Sequence, residues 1–348
     1  MRSRIVVVGS CVALALALTK APARAADCSA TQSACIDDDT LWPHAGPTRF
    51  VAVGSAETTA GGQLGFGLVA SYLSRPIVLH LASPGASQGS QHNAVDDQVN
   101  GTFLWSYGVT DRLALDLALP LTLGQGGTGL APVTGGQGLK DTAVRDLRFG
   151  FAYGIARRAR RAIDMAPDSM QASQNTWGLV ARLEIVAPTG DKQQFAGDGS
   201  GGFVPSLAGD GRLGHLFFGA EVGVRIRPTS DLLGARVGTQ FVAAMGVGYD
   251  VLPRELLGIA LEAWALPTFA EQETLTMVDG ARVATPNGGH IAPAEWQLSV
   301  RSAPLRGGDL SLQLGGGGGI PLSGELPITT PRFRFTLGVR WAPRGRLP

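Results

Sequence analysis

Three observations predict an all-β fold, a closed antiparallel transmembrane barrel of about 12 strands. Apolar residues recur with a period of two, connections alternate between long and short, and an export signal precedes them. The last strand shows the pattern most plainly. Phe333, Phe335, Leu337, Val339 and Trp341 share one face, and Arg332, Arg334, Thr336, Gly338 and Arg340 share the other. No mature segment carries 18 uninterrupted apolar residues, so helical membrane spans are not expected.

Met1–Ala26 opens with Arg2 and Arg4, continues through an apolar run from Ile5 to Leu18, and ends in small residues at Ala23-Arg24-Ala25. That order is a secretory signal, with cleavage expected after Ala25. Residues 26–62 show no sustained period and read as a periplasmic N-terminal extension or a partial plug. Cys28 and Cys35 lie there, in an oxidising compartment, so a local disulfide is the default reading. Free thiols remain an alternative, and so does a metal site using Asp37, Asp38, Asp39 and His44, although the two thiols lack the paired spacing of structural zinc sites.

Residues 63–343 are assigned to the barrel and 344–348 to a short tail. The alternating runs lie near 63–73, 97–107, 112–122, 143–155, 176–187, 203–209, 214–227, 235–249, 256–267, 294–302, 308–316 and 331–341. Twelve is even, as bacterial single-chain barrels require. With the N-terminus inside, the outer connections are 74–96, 123–142, 188–202, 228–234, 268–293 and 317–330. The inner ones are 108–111, 156–175, 210–213, 250–255 and 303–307. Most outer connections are long and four of the five inner ones are tight. The exception, 156–175, holds Arg157, Arg158, Arg160 and Arg161 and reads as a solvated loop.

Only 16% of the 348 residues are charged, 44% are hydrophobic and 49 are Gly, which excludes a disordered chain or a coiled coil. A net charge of +1 gives no basic stripe, so no nucleic-acid partner is expected. The polar faces nevertheless carry charge in a way that a soluble sandwich core does not accommodate. In lipid the faces invert, with apolar residues outward and charges inward. The lumen-lining set inferred from phase is Arg148, Arg182, Glu184, Glu221, Arg225, Arg236, Glu262, Arg301, Arg332, Arg334 and Arg340, with Arg227, Asp116, Asp146, Glu295 and Asp309 on the same faces. Opposed charges of this kind either pair and fill a narrow interior or separate into arcs around a small pore. Tyr72, Trp105, Tyr107, Trp177, Tyr249, Trp264, Trp296 and Trp341 lie near strand ends and are candidates for interfacial girdles.

Motifs for catalysis are weak. Gly124-Gln125-Gly126-Gly127-Thr128-Gly129 fits G-x-G-x-x-G, but Leu130-Ala131-Pro132 follows and not a helix. His44, His80, His92, His215 and His290 are scattered, and Ser71 and Ser299, on inward faces, have no evident His partner. No catalytic residue, metal or cofactor is expected, and a barrel-embedded hydrolase is a minor alternative.

A set of local segments carries a family resemblance. These are Gly65-Phe66-Gly67-Leu68-Val69-Ala70-Ser71-Tyr72 with Arg75-Pro76-Ile77-Val78-Leu79, Gly108-Val109-Thr110-Asp111-Arg112-Leu113, and Asp146-Leu147-Arg148-Phe149-Gly150. To these add Ala187-Pro188-Thr189-Gly190-Asp191 and the closing Gly338-Val339-Arg340-Trp341-Ala342-Pro343. Together they resemble the barrel module of myxobacterial-type OmpA-family proteins. Only seven residues follow Trp341, so the peptidoglycan-binding domain of such proteins, and the anchoring it implies, is not carried over. The Pro-Thr-Gly-Asp loop is also similar to that of transporter-like barrels linked to aromatic-compound degradation. The expectation is therefore a Gram-negative outer-membrane barrel, a passive pore or uptake channel for small solutes. The alternative is a structural or surface-display barrel with an occluded interior. Expected partners are outer-membrane lipid and lipopolysaccharide, and the export and barrel-assembly machinery.

Overall fold

The computed structural model describes residues 34–81, 90–134, 138–158, 176–252, 255–278, 281–305, 309–322 and 325–343. The export signal, Cys28, residues 159–175 and the tail after Pro343 lie outside the described residues.

Twelve long strands close on themselves. In chain order the first six are β1 (Leu64–Leu81), β2 (Ser90–Gly108), β3 (Leu113–Gly126), β5 (Leu147–Arg158), β6 (Thr176–Ala187) and β7 (Gly202–Leu213). The other six are β8 (Leu216–Arg225), β11 (Gln240–Leu252), β12 (Leu257–Ala265), β15 (Ala294–Leu305), β16 (Leu310–Gly319) and β17 (Phe333–Trp341). Each pairs antiparallel with its sequence neighbour, and β17 returns to β1, with Phe66 opposite Trp341 and Ser74 opposite Phe333. Closure leaves no unpaired edge, which a strand surrounded by lipid could not tolerate. A two-residue strand β4 (Ala143–Val144) leans on β3, and one short helical turn α1 (Ala131–Thr134) lies in the same connection. Two separate hairpins decorate the outer end, β9 (Ser230–Leu232) with β10 (Ala235–Val237), and β13 (Glu273–Val278) with β14 (Ala281–Pro286).

The faces fall as the period predicts. On β17, Phe335 is 58% exposed while Arg334 beside it is 1% exposed. The same alternation runs along β5, where Phe149, Phe151, Tyr153 and Ile155 point out and Arg148 and Ala152 point in. A greasy exterior around a charged interior is the reverse of a soluble sandwich and suits a bilayer. Tyr107, Trp177 and Tyr249 stand outward toward the inner rim, and Trp296 stands outward near the outer one. Trp264 departs from its expected girdle place: it is 5% exposed, inside the barrel, and its indole N–H donates to Thr40 Oγ1 at 3.3 Å.

Several boundaries move. Residues 74–96, expected to be an outer loop, are largely the extension of β1 and β2 into a long hairpin. A bulge between Ser74 and Ile77 shifts the register, with Arg75 at φ +51°, so no single period crosses it. The run at 203–209 is part of a twelve-residue strand, and the inner turn after it is Gly214-His215. The run at 235–249 divides, because residues 235–237 belong to the β9–β10 hairpin and the wall strand starts at Gln240.

Candidate functional site: the lumen and its resident segment

Inside the barrel the wall does not meet itself. Residues 34–60 thread the lumen from the outer end, where Ile36 packs with Ile77, Leu79 and Val95, to the inner end. There Ala60 donates its amide to Pro343 O at 3.0 Å, and Gly61 bridges to Gly108. The chain then turns directly into β1. Of the two readings of this stretch, a periplasmic extension or a partial plug, residues 34–60 take the place of the plug, inside the barrel. The physical reason is visible in its contacts: a segment with no period of its own satisfies its backbone and charges on the wall. Cys35, 2% exposed, is disulfide-bonded.

The outer third is held by ion pairs. Asp37 and Asp38 both meet Arg145, the latter at 3.0 Å, and Asp38 also accepts from Gln98 Nε2 at 3.0 Å. Asp39 takes Arg334 Nη1 at 2.8 Å and Asn100 Nδ2 at 2.7 Å, while Arg334 also holds Glu295 at 2.7 Å. Just outside the strands, burial beside the Asp198 carboxylate pushes the Asp146 carboxyl up to about 7. The amides of Gly190 and Asp198 donate to Asp146 and pull against that rise.

The middle third is gripped by wall carboxylates. His44 sits with Nδ1 2.9 Å from Glu184 and Nε2 2.9 Å from Glu221. Both ring nitrogens face acceptors, an arrangement that imidazolium satisfies with two donated bonds. Trp42 Nε1 donates to Glu184 at 2.9 Å. Glu262, fully buried, accepts the amides of Val51 and Ala52 at 2.9 Å, and Glu221 accepts the Gly54 amide at 2.8 Å. Such charge-assisted bonds to backbone N–H groups fix a turn without help from the turn's side chains.

Phe50 fills the barrel where the wall is bare. A Cβ on Gly246 would come within 2.5 Å of its ring, and one on Gly219 within 2.9 Å, so glycine is needed at both to seat it. Phe217 meets the same ring at 5.5 Å between centroids. At the inner mouth Arg340 Nη1 donates to Phe50 O at 3.0 Å, and Arg301 and Arg212 converge on Glu255 at 3.1 and 3.0 Å.

Nine of the eleven residues assigned to the lumen from phase face it: Arg148, Arg182, Glu184, Glu221, Arg225, Glu262, Arg301, Arg334 and Arg340 are all buried or nearly so. Two do not. Arg236 belongs to the β9–β10 hairpin, where it pairs with Glu273 at 3.0 Å, because the wall strand starts only after Gly238-Thr239. Arg332 precedes β17 and is exposed: its amide still bonds Ser74 O at 2.8 Å, but the wall ends at that rim and parity no longer implies an interior. Sequence reasoning did not identify Trp42, His44 or the Asp37–Asp39 run as partners of the wall, nor Arg145 as the residue beside β5 that holds that run. The available signal was three consecutive carboxylates on a chain with little charge to spare. Ser71 and Ser299 face inward, and among the described residues no histidine bonds to either.

No protein-family model matches the sequence, and no curated protein matches it. Among solved structures the chain is similar to the COG4313 outer membrane channel of Pseudomonas putida F1, with 17% identity and a TM-score of 0.52 over 84% of this chain and 99% of that one. The toluene transporter TbuX of Ralstonia pickettii matches at 9% identity and TM-score 0.33 over 81% of this chain and 90% of that one. A Pseudomonas aeruginosa FadL homologue matches at 11% and 0.34 over 80% and 90%. These last two superpose far less well. The chain is accordingly a closed antiparallel barrel of twelve strands, of the kind found in outer-membrane, porin-like proteins.

Proposed function

We propose that the protein is an outer-membrane channel for small solutes, and that residues 34–60 are its closure. One observation carries this reading: the lumen is filled in large part by a separate segment of chain, held on the wall by ion pairs and amide–carboxylate bonds as well as by apolar contacts. Around Phe50 the wall offers Gly219, Gly246, Ala118, Ala244 and Ala260 beside the larger Leu104, Phe217 and Trp264, and the small residues leave space once the segment withdraws. Among the contacts that hold the segment, the ion pairs and amide–carboxylate bonds are ones that water and solute groups can replace, and its withdrawal must also break the apolar contacts of Ile36 and Phe50. The likeness to a channel of similar span supports the same reading.

A reversible tether tests it. A Cβ on Gly54 would stand 3.3 Å from the Ala208 Cβ, close to disulfide range, and 2.8 Å from Glu221 Oε2, so with a small shift of that carboxylate's flexible end the Gly54→Cys/Ala208→Cys pair should bond the segment to β7. In planar bilayers the native protein should show intermittent single-channel steps, the oxidised pair none, and the reduced pair steps again. Steps that persist unchanged in the oxidised pair would show that solutes pass without moving the segment. Silence in every form would favour the structural-barrel alternative.

A further inference from the structure

Beside the resident segment, in the outer half of the lumen, lies a cavity of about 30 Å³ bordered by Trp42, Arg148, Ser200, Arg225 and Arg227 together with four carboxylates. We propose that it is a binding site for one small monovalent anion, a halide or the carboxylate of a short organic acid.

The charge balance around the cavity leads there. Each of its carboxylates is already engaged. Asp37 is held by Arg145 and Asp39 by Arg334. Asp146 is taken by the amides of Gly190 and Asp198, and Asp198 by Arg227. Arg227 completes its own set through Gly238 O and Gln240 Oε1, both at 3.1 Å. Two cations are left. Arg225 is 6% exposed, and among the described residues its Nε finds no acceptor and no carboxylate forms an ion pair with it. Arg148 is 4% exposed; its Nη2 donates to Pro43 O at 3.3 Å, but among the described residues its Nη1 makes no hydrogen bond. That atom's nearest anion is Glu184 at 3.5 Å, a group that already accepts from Trp42 and His44 at 2.9 Å.

Both guanidinium groups lie over the Trp42 ring, each 4.0 Å from its centre. The indole fixes their planes but supplies only a fraction of a buried cation's lost hydration. The site therefore holds two guanidinium groups, Arg225 with no ion-pair partner among the described residues and Arg148 with only the shared Glu184 at 3.5 Å. A volume of about 30 Å³ has room for a halide or a small carboxylate in place of ordered water. Ser200, on the connection between β6 and β7, stands at the cavity edge, so the site has both a wall side and a loop side. The site does not depend on conduction: it is formed with the segment in place.

Calorimetric titration of the purified full-length protein in halide-free buffer tests the proposal, with sodium bromide, sodium formate and sodium acetate as probes. At least one probe should bind with a stoichiometry of one, and the bromide and formate arms distinguish a halide from a carboxylate preference. Arg225→Gln and Arg148→Gln should each weaken binding by at least about tenfold, the cost of removing one charged donor from a buried anion. Arg236→Gln, in the outer hairpin, should leave it unchanged. Retained heat-modifiable migration shows that a variant still forms the barrel. Crystals grown with bromide should show its anomalous signal in the cavity, a readout that requires no variant. If no probe binds the native protein and no bromide signal appears, the proposal is overturned, and equal binding by native and Arg225→Gln protein overturns it as well. The oxidised Gly54→Cys/Ala208→Cys protein should bind as the native protein does, which separates this outcome from that of the channel reading.

Discussion

His44 shows how one side chain on the resident segment can decide the state of two on the wall. With Glu184 and Glu221 each 2.9 Å from its ring, removing the imidazolium leaves two buried carboxylates with their shared cation gone. Breaking a buried pair in this way costs about 3 to 5 kcal/mol. His44→Gln should therefore loosen residues 40–56, seen as faster hydrogen exchange there and more frequent channel openings, with exchange of the wall strands unchanged. Phe50 makes the complementary apolar case. Gly246→Ala puts a methyl within 2.5 Å of its ring and should displace it, raising open probability. The Gly246→Ala/Phe50→Ala pair should be less perturbed than the sum of the two single changes, since the clash needs both groups. Trp264 is instructive for a different reason. Its place near a strand end suggests an interfacial ring, yet its parity on β12 with Glu262 already places it inside.

At the scale of elements, the wall strands and the outer hairpins obey different rules. The twelve wall strands are tied to two neighbours each, whereas β13–β14 is a two-stranded sheet of its own. Replacing residues 273–286 with a short Gly-Ser linker should leave the heat-modifiable barrel intact, as measured by gel migration before and after boiling. The wall strands were legible because a half-lipid, half-water environment enforces a strict period of two, and the phase of β5, β6, β8 and β17 follows directly from it. Legibility failed where that environment ends. The upper parts of β1 and β2 leave the apolar band and carry a bulge at Arg75-Pro76, and Arg332 sits on the rim, so alternation there no longer reports an inside and an outside.

For the whole molecule, the decisive feature is an apolar belt pointing outward. Leu314 is 62% exposed and Leu337, its partner across the β16–β17 ladder, is 53% exposed. On a water-facing surface Leu314→Arg would be nearly neutral. In a bilayer it should cost about 2 to 4 kcal/mol near the midplane, measured by urea titration of the protein folded in lipid vesicles. Inward substitutions of similar size should instead alter conductance, because they meet the resident segment and not lipid.

The amino-acid sequence by itself determined the class of the fold, the number of wall strands, their in-and-out phase and the alternation of long and short connections. Each of these is a local consequence of a strand lying between hydrocarbon and water. Only the tertiary structure decided what occupies the interior. Asp37, Asp39, Trp42, His44 and Phe50 carry no period, and they meet Arg145, Arg334 on β17, Glu184 on β6, Glu221 on β8 and Gly246 on β11, each more than a hundred positions away along the chain. Contacts of that range are set by where closure of the barrel brings the strands together, which no local pattern of residues encodes.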